Sequence, residues 1–205
     1  MAEQLIISIS REYGSGGHVI AEGLAKRFNL PLYDRNLLDH ISAEKNGNIE
    51  ELRKYEERPR KFLSSRTVKG YCNSPEEIIA NMQFDFIKKK ADSGESFVVV
   101  GRCSETILKP YKGLISIFVI ADMDFKNKHV QEVRGMSKKE AQAAINRHDL
   151  SRKYYHNRYC DIKWGDSRNY DICINSGRLG LERTTDLLES YIRERNGEKQ
   201  NWITD

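Results

Sequence analysis

Residues 5–28 read LIISISREYGSGGHVIAEGLAKRF, and this stretch decides the fold of the chain. The apolar, β-branched run at residues 5–9 predicts a buried strand, and the apolar residues after position 18 recur at helical spacing. Between them lies a glycine cluster at residues 14–17. A strand, a glycine-rich turn and a helix in this order favour phosphate binding, because N–H groups of the turn lie at a helix N-terminus. A tight connection without a ligand is the alternative.

The rest of the chain alternates between further predicted strands and helices. Apolar runs without polar alternation predict buried strands at residues 97–100 and 114–121, and two further short strands are expected at residues 32–33 and 171–175. Helical spacing and capping signals predict helices at residues 35–45, 48–63, 73–92, 122–134, 137–158 and 179–195. This order predicts an α/β fold with a parallel five-stranded sheet and helices on both faces. Its ligand crevice is expected at the carboxyl ends of the strands.

Length and composition describe one domain with a polar surface. The 205 residues are enough for one sizeable core, and the mean hydropathy is -0.68 with 31% charged residues. No apolar run approaches the ~20 residues of a membrane-spanning helix, and the first residues lack a signal-peptide pattern. We therefore expect a cytoplasmic protein without a membrane partner. The net charge of +4 suits any anionic ligand and does not distinguish a nucleotide from a nucleic acid.

Cysteine and histidine spacing predicts no metal site. Cys72, Cys103, Cys160 and Cys173 form no CxxC pair, so we expect reduced thiols. The five histidines show neither HxxxH nor HExxH spacing. No protein ligand for a metal ion is therefore predicted.

Two motifs carry a resemblance to a known family. Gly14-Ser15-Gly16 followed by Ile20-Ala21, and then residues 30–34 with the sequence LPLYD, resemble the opening of the cytidylate kinases. The string SREYGSGG at residues 10–17 is typical of the cytidylate kinase-like branch of that superfamily. The resemblance implies a P-loop NTPase-like sheet with a helical lid at about residues 137–170 and a helical acceptor-binding insertion at residues 35–92, all within one domain spanning residues 1–205. It implies ATP, with Mg²⁺ carried by the nucleotide, and phosphate held by Tyr13, Gly14, Ser15, Gly16, Gly17 and His18.

The glycine-rich loop departs from the usual Walker A motif at three positions. Arg11 stands at the first Walker glycine, Gly17 at the lysine, and His18 at the Ser/Thr that normally binds magnesium. These changes concern phosphoryl transfer more than phosphate binding. Arg11 is the candidate for the missing cation, since a guanidinium contacts phosphate bidentately. Pairing of Arg11 with Glu12 or another acid is an equal alternative.

The acceptor side is predicted from the ends of two other strands. Arg102 follows the strand at residues 97–100 and resembles the arginine of a Gly-Arg-Asp motif, which holds the acceptor's phosphate. Cys103 replaces the aspartate of that motif, so the motif does not predict which base the acceptor carries. Asp34 matches the acid that ends the second strand, and Arg35 either binds a phosphate or caps the next helix.

A basic, aromatic segment at residues 147–170 resembles the kinase lid. Arg147 and Arg152 match the Arg-Asp-x-x-x-Arg pattern of the lid helix, whose arginines neutralise charge on the transferring phosphoryl group, and Arg158 is a further candidate. An exposed basic helix is the alternative explanation for this charge.

These sequence features suggest three candidate functions. The first is a kinase that transfers the γ-phosphoryl group of ATP to a small phosphorylated acceptor, a nucleoside monophosphate with cytidylate as first candidate. The second is a nucleotide-binding sensor without turnover. The third, a nucleic-acid-binding protein using residues 147–170, is disfavoured because acids interrupt the basic residues and the pI is only about 8.8. The acceptor, the donor and the oligomeric state are left open.

Overall fold

The computed structural model of this protein describes residues 4–34, 36–45, 67–68, 71–72 and 75–197. The strands are β1 Ile6–Arg11, β2 Leu32–Tyr33, β3 Thr67–Val68, β4 Tyr71–Cys72, β5 Phe97–Val100, β6 Leu114–Ile120 and β7 Ile172–Asn175. The helices are α1 Gly17–Phe28, α2 Leu37–Lys45, α3 Pro75–Asp92, α4 Ser104–Ile107, α5 Met123–Arg134, α6 Lys138–Tyr159, α7 Ser176–Leu179 and α8 Leu181–Gly197, with a 3-10 turn at Ser167–Asn169. None of the helices in these ranges is long and apolar enough to cross a lipid bilayer.

Five strands form one parallel sheet in the order β2-β5-β1-β6-β7. The predicted α/β fold is confirmed, since all five expected strands are present within one or two residues of their predicted bounds. β1 lies at the centre, where Ile7 pairs with Val98 of β5 and with Ile115 of β6. The short antiparallel pair β3-β4 was not predicted from the sequence. The helix predicted at residues 48–63 lies outside the described residues.

Both faces of the central strand are buried by helices. Ile7 and Ile9 belong to a cluster that joins the sheet to α1 and α8, whereas Ile6 belongs to a second cluster with α2, α3 and Leu108, which follows α4. All three isoleucines have no exposed surface, and burial of such a side chain contributes about 1.5 to 3 kcal/mol. This two-sided packing places the carboxyl end of β1, and the glycine-rich loop that follows it, at a fixed position on the sheet.

One face of β1 carries polar side chains towards α4. Ser8 and Ser10 are buried, yet both are satisfied: Ser8 Oγ lies 2.7 Å from Ser104 Oγ, and Ser10 Oγ donates to Glu105 Oε2 at 3.1 Å. Buried polar groups are tolerated when they are hydrogen-bonded in this way. The first turn of α4 is thereby fixed against the strand that leads into the glycine-rich loop.

The long helix α6 begins at the predicted capping box. Ser137 Oγ accepts from the N–H of Glu140, whose carboxylate accepts from the N–H of Ser137. In its first turns Ala141 and Ile145 pack against Val130 of α5, and Tyr13 of the glycine-rich loop touches the same cluster. The N-terminal half of α6 therefore lies beside the loop.

Candidate phosphate-binding cleft

Glycine is required by close packing at three positions of the loop between β1 and α1. Gly14 and Gly16 have φ of +82° and +74°, a left-handed conformation that favours glycine. A Cβ atom on Gly14 would lie 2.9 Å from Val130 Cγ2, one on Gly16 would collide with Leu181, and one on Gly17 would lie 2.6 Å from Arg11 Cβ. A side chain at Gly16 would therefore disturb packing and ligand binding together.

The loop presents backbone N–H groups at the N-terminus of α1. The N–H groups of Gly14, Gly16, Gly17 and His18 donate to no residue in the described ranges. Ile20 is the first residue of α1 whose N–H bonds back to the loop, at 3.1 Å from the carbonyl oxygen of Gly16. Unpaired N–H groups and the positive end of a helix dipole together favour a bound anion.

A cleft of about 260 Å³ opens above this loop. It brings together most of the predicted loop residues with Asp34 from the end of β2 and Arg152 from α6. Its lining consists of Arg11, Glu12, Tyr13, Gly14, Gly16, Gly17, His18, Val19, Asp34, His129, Val130, Val133, Arg134 and Arg152. The predicted loop residue Ser15 is not in this lining: it is buried, and its hydroxyl donates to the Glu12 carbonyl at 2.9 Å.

Asp34 lies between an arginine and a histidine at one side of the cleft. Its carboxylate lies 2.8 Å from His18 Nδ1 and 3.6 Å from Arg11 Nη2, and the residue is only 8% exposed. The Arg11 guanidinium also passes over Gly101, where an added Cβ would lie 2.5 Å from Nη1. Arg11 therefore pairs with an acid, which was one of the two alternatives drawn from the sequence. Its side chain nevertheless lines the cleft. Arg35 lies outside the described residues.

A buried lysine that the sequence analysis missed joins the loop to α6. Lys126 of α5 is 3% exposed, and its Nζ lies 3.1 Å from Glu12 Oε2 and 2.7 Å from Asp149 Oδ2. The other oxygen of Asp149 accepts from the N–H of Tyr13 at 2.6 Å. One ammonium group thus compensates two carboxylates, one from the loop and one from the helix that covers it.

The three arginines predicted to act from α6 have different environments. Arg152 is half-buried in the cleft, donates from Nη1 to the Arg11 carbonyl at 3.0 Å, and places its guanidinium 5.6 Å from the centre of the Tyr13 ring. Arg147 is exposed and contacts no charged group in the described part of the chain. Arg158 instead pairs with Glu77 of α3 at 3.0 Å. Only Arg152 is brought to the glycine-rich loop.

The predicted acceptor arginine stands in a strained turn at the end of β5. Gly101, Arg102 and Cys103 have consecutive φ values of +74°, +57° and +54°. For residues other than glycine this conformation costs roughly 1–2 kcal/mol each, and such strain clusters at functional sites. Burial raises the pKa of Tyr155 on α6, and the nearby Arg102 guanidinium opposes that rise. The thiol of Cys103 is buried.

Most aromatic side chains of residues 147–170 are used in packing. Tyr155 and Tyr159 contact each other, and Tyr159 also meets Phe84 of α3. Trp164 and Tyr170 both pack on Phe118 of β6. Such rings form no open platform for stacked bases, which argues against the single-strand binding hypothesis.

Comparison with known proteins gives one family and one fold. The model of the "Cytidylate kinase-like family" matches residues 6–178. The crystal structure of an uncharacterized protein from Eubacterium ventriosum is 40% identical, covering 93% of this chain and 99% of that chain, with a TM-score of 0.74. No curated protein sequence matches the chain.

Two more distant structures are shikimate kinases. The Bacteroides thetaiotaomicron enzyme is 12% identical, with a TM-score of 0.55 over 92% of this chain and 98% of that chain. The Acinetobacter baumannii enzyme, solved in complex with shikimate, is 10% identical, with a TM-score of 0.52 over 95% of this chain and 96% of that chain. At this identity the two structures show the fold alone, which is that of P-loop kinases.

Proposed function

Since this chain belongs to the cytidylate kinase-like family, we propose that it is a kinase that transfers the γ-phosphoryl group of ATP to a small phosphorylated acceptor. A nucleoside monophosphate is the proposed acceptor class, and cytidylate is its first candidate. Positioning and electrostatic stabilisation are what such an enzyme must provide, so the proposal requires an anion-binding loop and cations that meet at one cleft.

The observation that carries the proposal is the set of unpaired N–H groups on the loop. Gly14, Gly16, Gly17 and His18 offer their N–H groups at the start of α1, beside a cleft lined by arginine side chains. A phosphate group is the ligand that this arrangement suits best. In the proposed enzyme these groups hold the β-phosphate of the nucleotide.

Three arginines receive separate roles in this proposal. Arg11 lies between the loop and the turn that bears Arg102, so it supplies a cation between donor and acceptor in place of the Walker lysine. Arg102 binds the phosphate of the acceptor. Arg152, which already lines the cleft, stabilises charge on the phosphoryl group in transit. Arg147 and Arg158 would reach the cleft only after a movement of α6.

The residues of the cleft also fit magnesium carried by the nucleotide. Its lining includes two carboxylates, Glu12 and Asp34, and Mg²⁺ prefers oxygen ligands. Glu12 is engaged by the buried Lys126 and Asp34 by Arg11 and His18, so either carboxylate would hold the ion through water. When bound, magnesium neutralises charge on the phosphate oxygens. His18 cannot replace the usual hydroxyl ligand in this role, because its Nδ1 bonds to Asp34.

A panel of nucleoside monophosphates with Mg-ATP tests the proposal. We expect at least one of them to raise ADP formation well above the background hydrolysis of ATP, and the phosphorylated acceptor to appear in equal amount. Saturable binding of ATP without any acceptor-dependent ADP would contradict the kinase proposal and support the sensor. Binding of neither nucleotide would contradict both.

Replacing Arg102 by alanine should weaken binding of the acceptor and leave binding of ATP nearly unchanged. A charge-assisted hydrogen bond contributes roughly 1.5 to 3 kcal/mol, so the acceptor's apparent affinity should fall about 10- to 100-fold. Steady-state kinetics with each substrate varied in turn measure the two effects separately. Arg193→Ala removes an exposed arginine from α8 and serves as the charge-matched control. Equal losses for both substrates in Arg102→Ala would reject this assignment.

A further inference from the structure

A buried cluster of metal-ligating side chains lies at the far end of α6 from its capping box. One ligand atom each from Glu105, His156 and Cys160 lies within 4.8 Å of the other two, and no other such group occurs in the described ranges. All three residues are less than 9% exposed. His156 lies on α6 and Cys160 directly follows the last residue of that helix, whereas Glu105 lies on α4, so the cluster joins two separate parts of the chain.

The contacts within the cluster leave one atom without a partner. His156 Nε2 lies 2.6 Å from Glu105 Oε1, but Nδ1 of the same ring is buried and meets no hydrogen-bonding group among the described residues. A buried polar atom without a partner costs about 1–3 kcal/mol, and most such atoms in native proteins have one. Nδ1 and Nε2 lie on opposite sides of the ring, so an ion held by His156 and Glu105 together would bind at Nε2, in place of the present contact.

A second cysteine lies beside this group. Cys103 precedes α4, is 3% exposed, and its thiol is hydrogen-bonded to Cys160. Cys103 therefore brings a second sulfur close to the group formed by Glu105, His156 and Cys160. A thiolate is the form of cysteine that binds metal ions.

From this geometry we propose that Glu105, His156 and Cys160 bind one zinc ion or a similar transition-metal ion, with the sulfur of Cys103 as the fourth ligand. Thiolate, imidazole and carboxylate are the donors that zinc accepts, and a four-coordinate ion would place its ligand atoms roughly 3.3 to 3.8 Å apart. The atoms of Glu105, His156 and Cys160 lie between 2.6 Å and 4.8 Å apart, so these three need shifts of only about an ångström. Cysteine and histidine spacing did not predict this site, because its ligands come from two parts of the sequence 51 residues apart, at Glu105 and His156.

The ion would connect the two parts of the molecule assigned to the acceptor and to the lid. Cys103 adjoins Arg102 in the strained turn after β5, and Cys160 directly follows the last residue of α6. Ser10 also donates to Glu105, so the same site reaches the strand that leads into the glycine-rich loop. A metal ion here would fix the C-terminal end of α6 to the sheet.

Cobalt titration of the full-length, untagged, reduced protein tests the site. After removal of metals with a chelator, Co²⁺ should bind to a one-to-one end point, with a thiolate-to-cobalt charge-transfer band and the intense visible bands of four-coordinate cobalt. Added Zn²⁺ should abolish both the charge-transfer band and the visible bands. Absence of these bands in the wild-type protein would overturn the proposal and leave Glu105 and His156 as a buried ion pair only.

Variants assign the ligands. Since loss of even an outer-shell partner costs 10- to 100-fold in metal affinity, Cys160→Ser should weaken cobalt binding by about 100-fold or more. Cys103→Ser should weaken the charge-transfer band, because one of two thiolates is lost. Cys173→Ser, at an exposed cysteine, should retain the wild-type spectrum. Zn²⁺ should also raise the melting temperature of the wild-type protein but not that of Cys160→Ser, and wild-type bands in Cys160→Ser would contradict the assignment.

Discussion

Replacing Arg152 by alanine should lower the turnover number for acceptor-dependent phosphoryl transfer by about 100-fold or more. Arg152 lines the cleft, and its Nη1 is held 3.0 Å from the carbonyl of Arg11, next to the loop proposed to bind the nucleotide. Charge shifts onto the transferring group only in the transition state, and an arginine placed there contributes 10³–10⁵ in turnover in related chemistry. The KM values should change little, because the resting complex does not need this contact. Steady-state kinetics with both substrates varied measure the turnover number and the two KM values.

Two neighbours on α6 provide matched controls for Arg152. Lys153 is the next residue and is exposed, so Lys153→Ala should be close to neutral. Arg147→Ala should likewise have a small effect if α6 keeps its present position, and a large one if the helix closes further during turnover. Equal, modest losses in all three variants that vary with salt concentration would indicate a diffuse basic surface and revive the nucleic-acid hypothesis.

Replacing Lys126 by methionine should lower the free energy of unfolding by about 3–5 kcal/mol. The side chain of Lys126 is 4% exposed, and its ammonium group compensates both Glu12 and Asp149. Methionine fills similar space but leaves two carboxylates near each other without their cation, and breaking a buried ion pair in this way is strongly destabilising. Urea unfolding followed by circular dichroism measures the change.

Further variants separate charge from packing at Lys126. Lys128 lies on the same helix with a 79% exposed side chain, so Lys128→Met should leave stability almost unchanged. The double variant Lys126→Met/Asp149→Asn should lose less than Lys126→Met alone, because one uncompensated carboxylate is removed. If Lys126→Met proved as stable as the wild-type protein, the three charges would make no net contribution to the fold.

The sequence predicted the sheet well because its central strands β1, β5 and β6 are buried on both faces. Continuous apolar runs such as residues 97–100 and 114–120 leave little choice of structure, and their bounds were predicted nearly to the residue. The pair β3-β4 was missed because two strands of two residues each carry no periodicity. The capping box at Ser137 fixed the start of α6 by local chemistry alone.

Residues of the candidate site were predicted only where they lie close together in the sequence or belong to a motif of the family. Gly14, Gly16, Gly17 and Asp34 were found in this way. Lys126 was missed because it lies among charged residues on α5 and reads as exposed, and only the tertiary fold shows that it is buried. The group formed by Glu105 and His156 was missed for the same reason, although the His-x-x-x-Cys spacing at residues 156–160 was a usable signal.

The close contacts of the three loop glycines mean that the loop is pre-organised. Gly14 rests against α5, Gly16 against α8 and Gly17 against β1, so the fold sets the backbone of the loop before any nucleotide arrives. Ordering a flexible segment costs roughly 1–2 kcal/mol per residue, and here that entropy is lost during folding and not on binding. Affinity for simple anions such as pyrophosphate should therefore survive substitutions that abolish turnover. Catalysis and acceptor choice can then diverge within such a fold while the nucleotide site is retained.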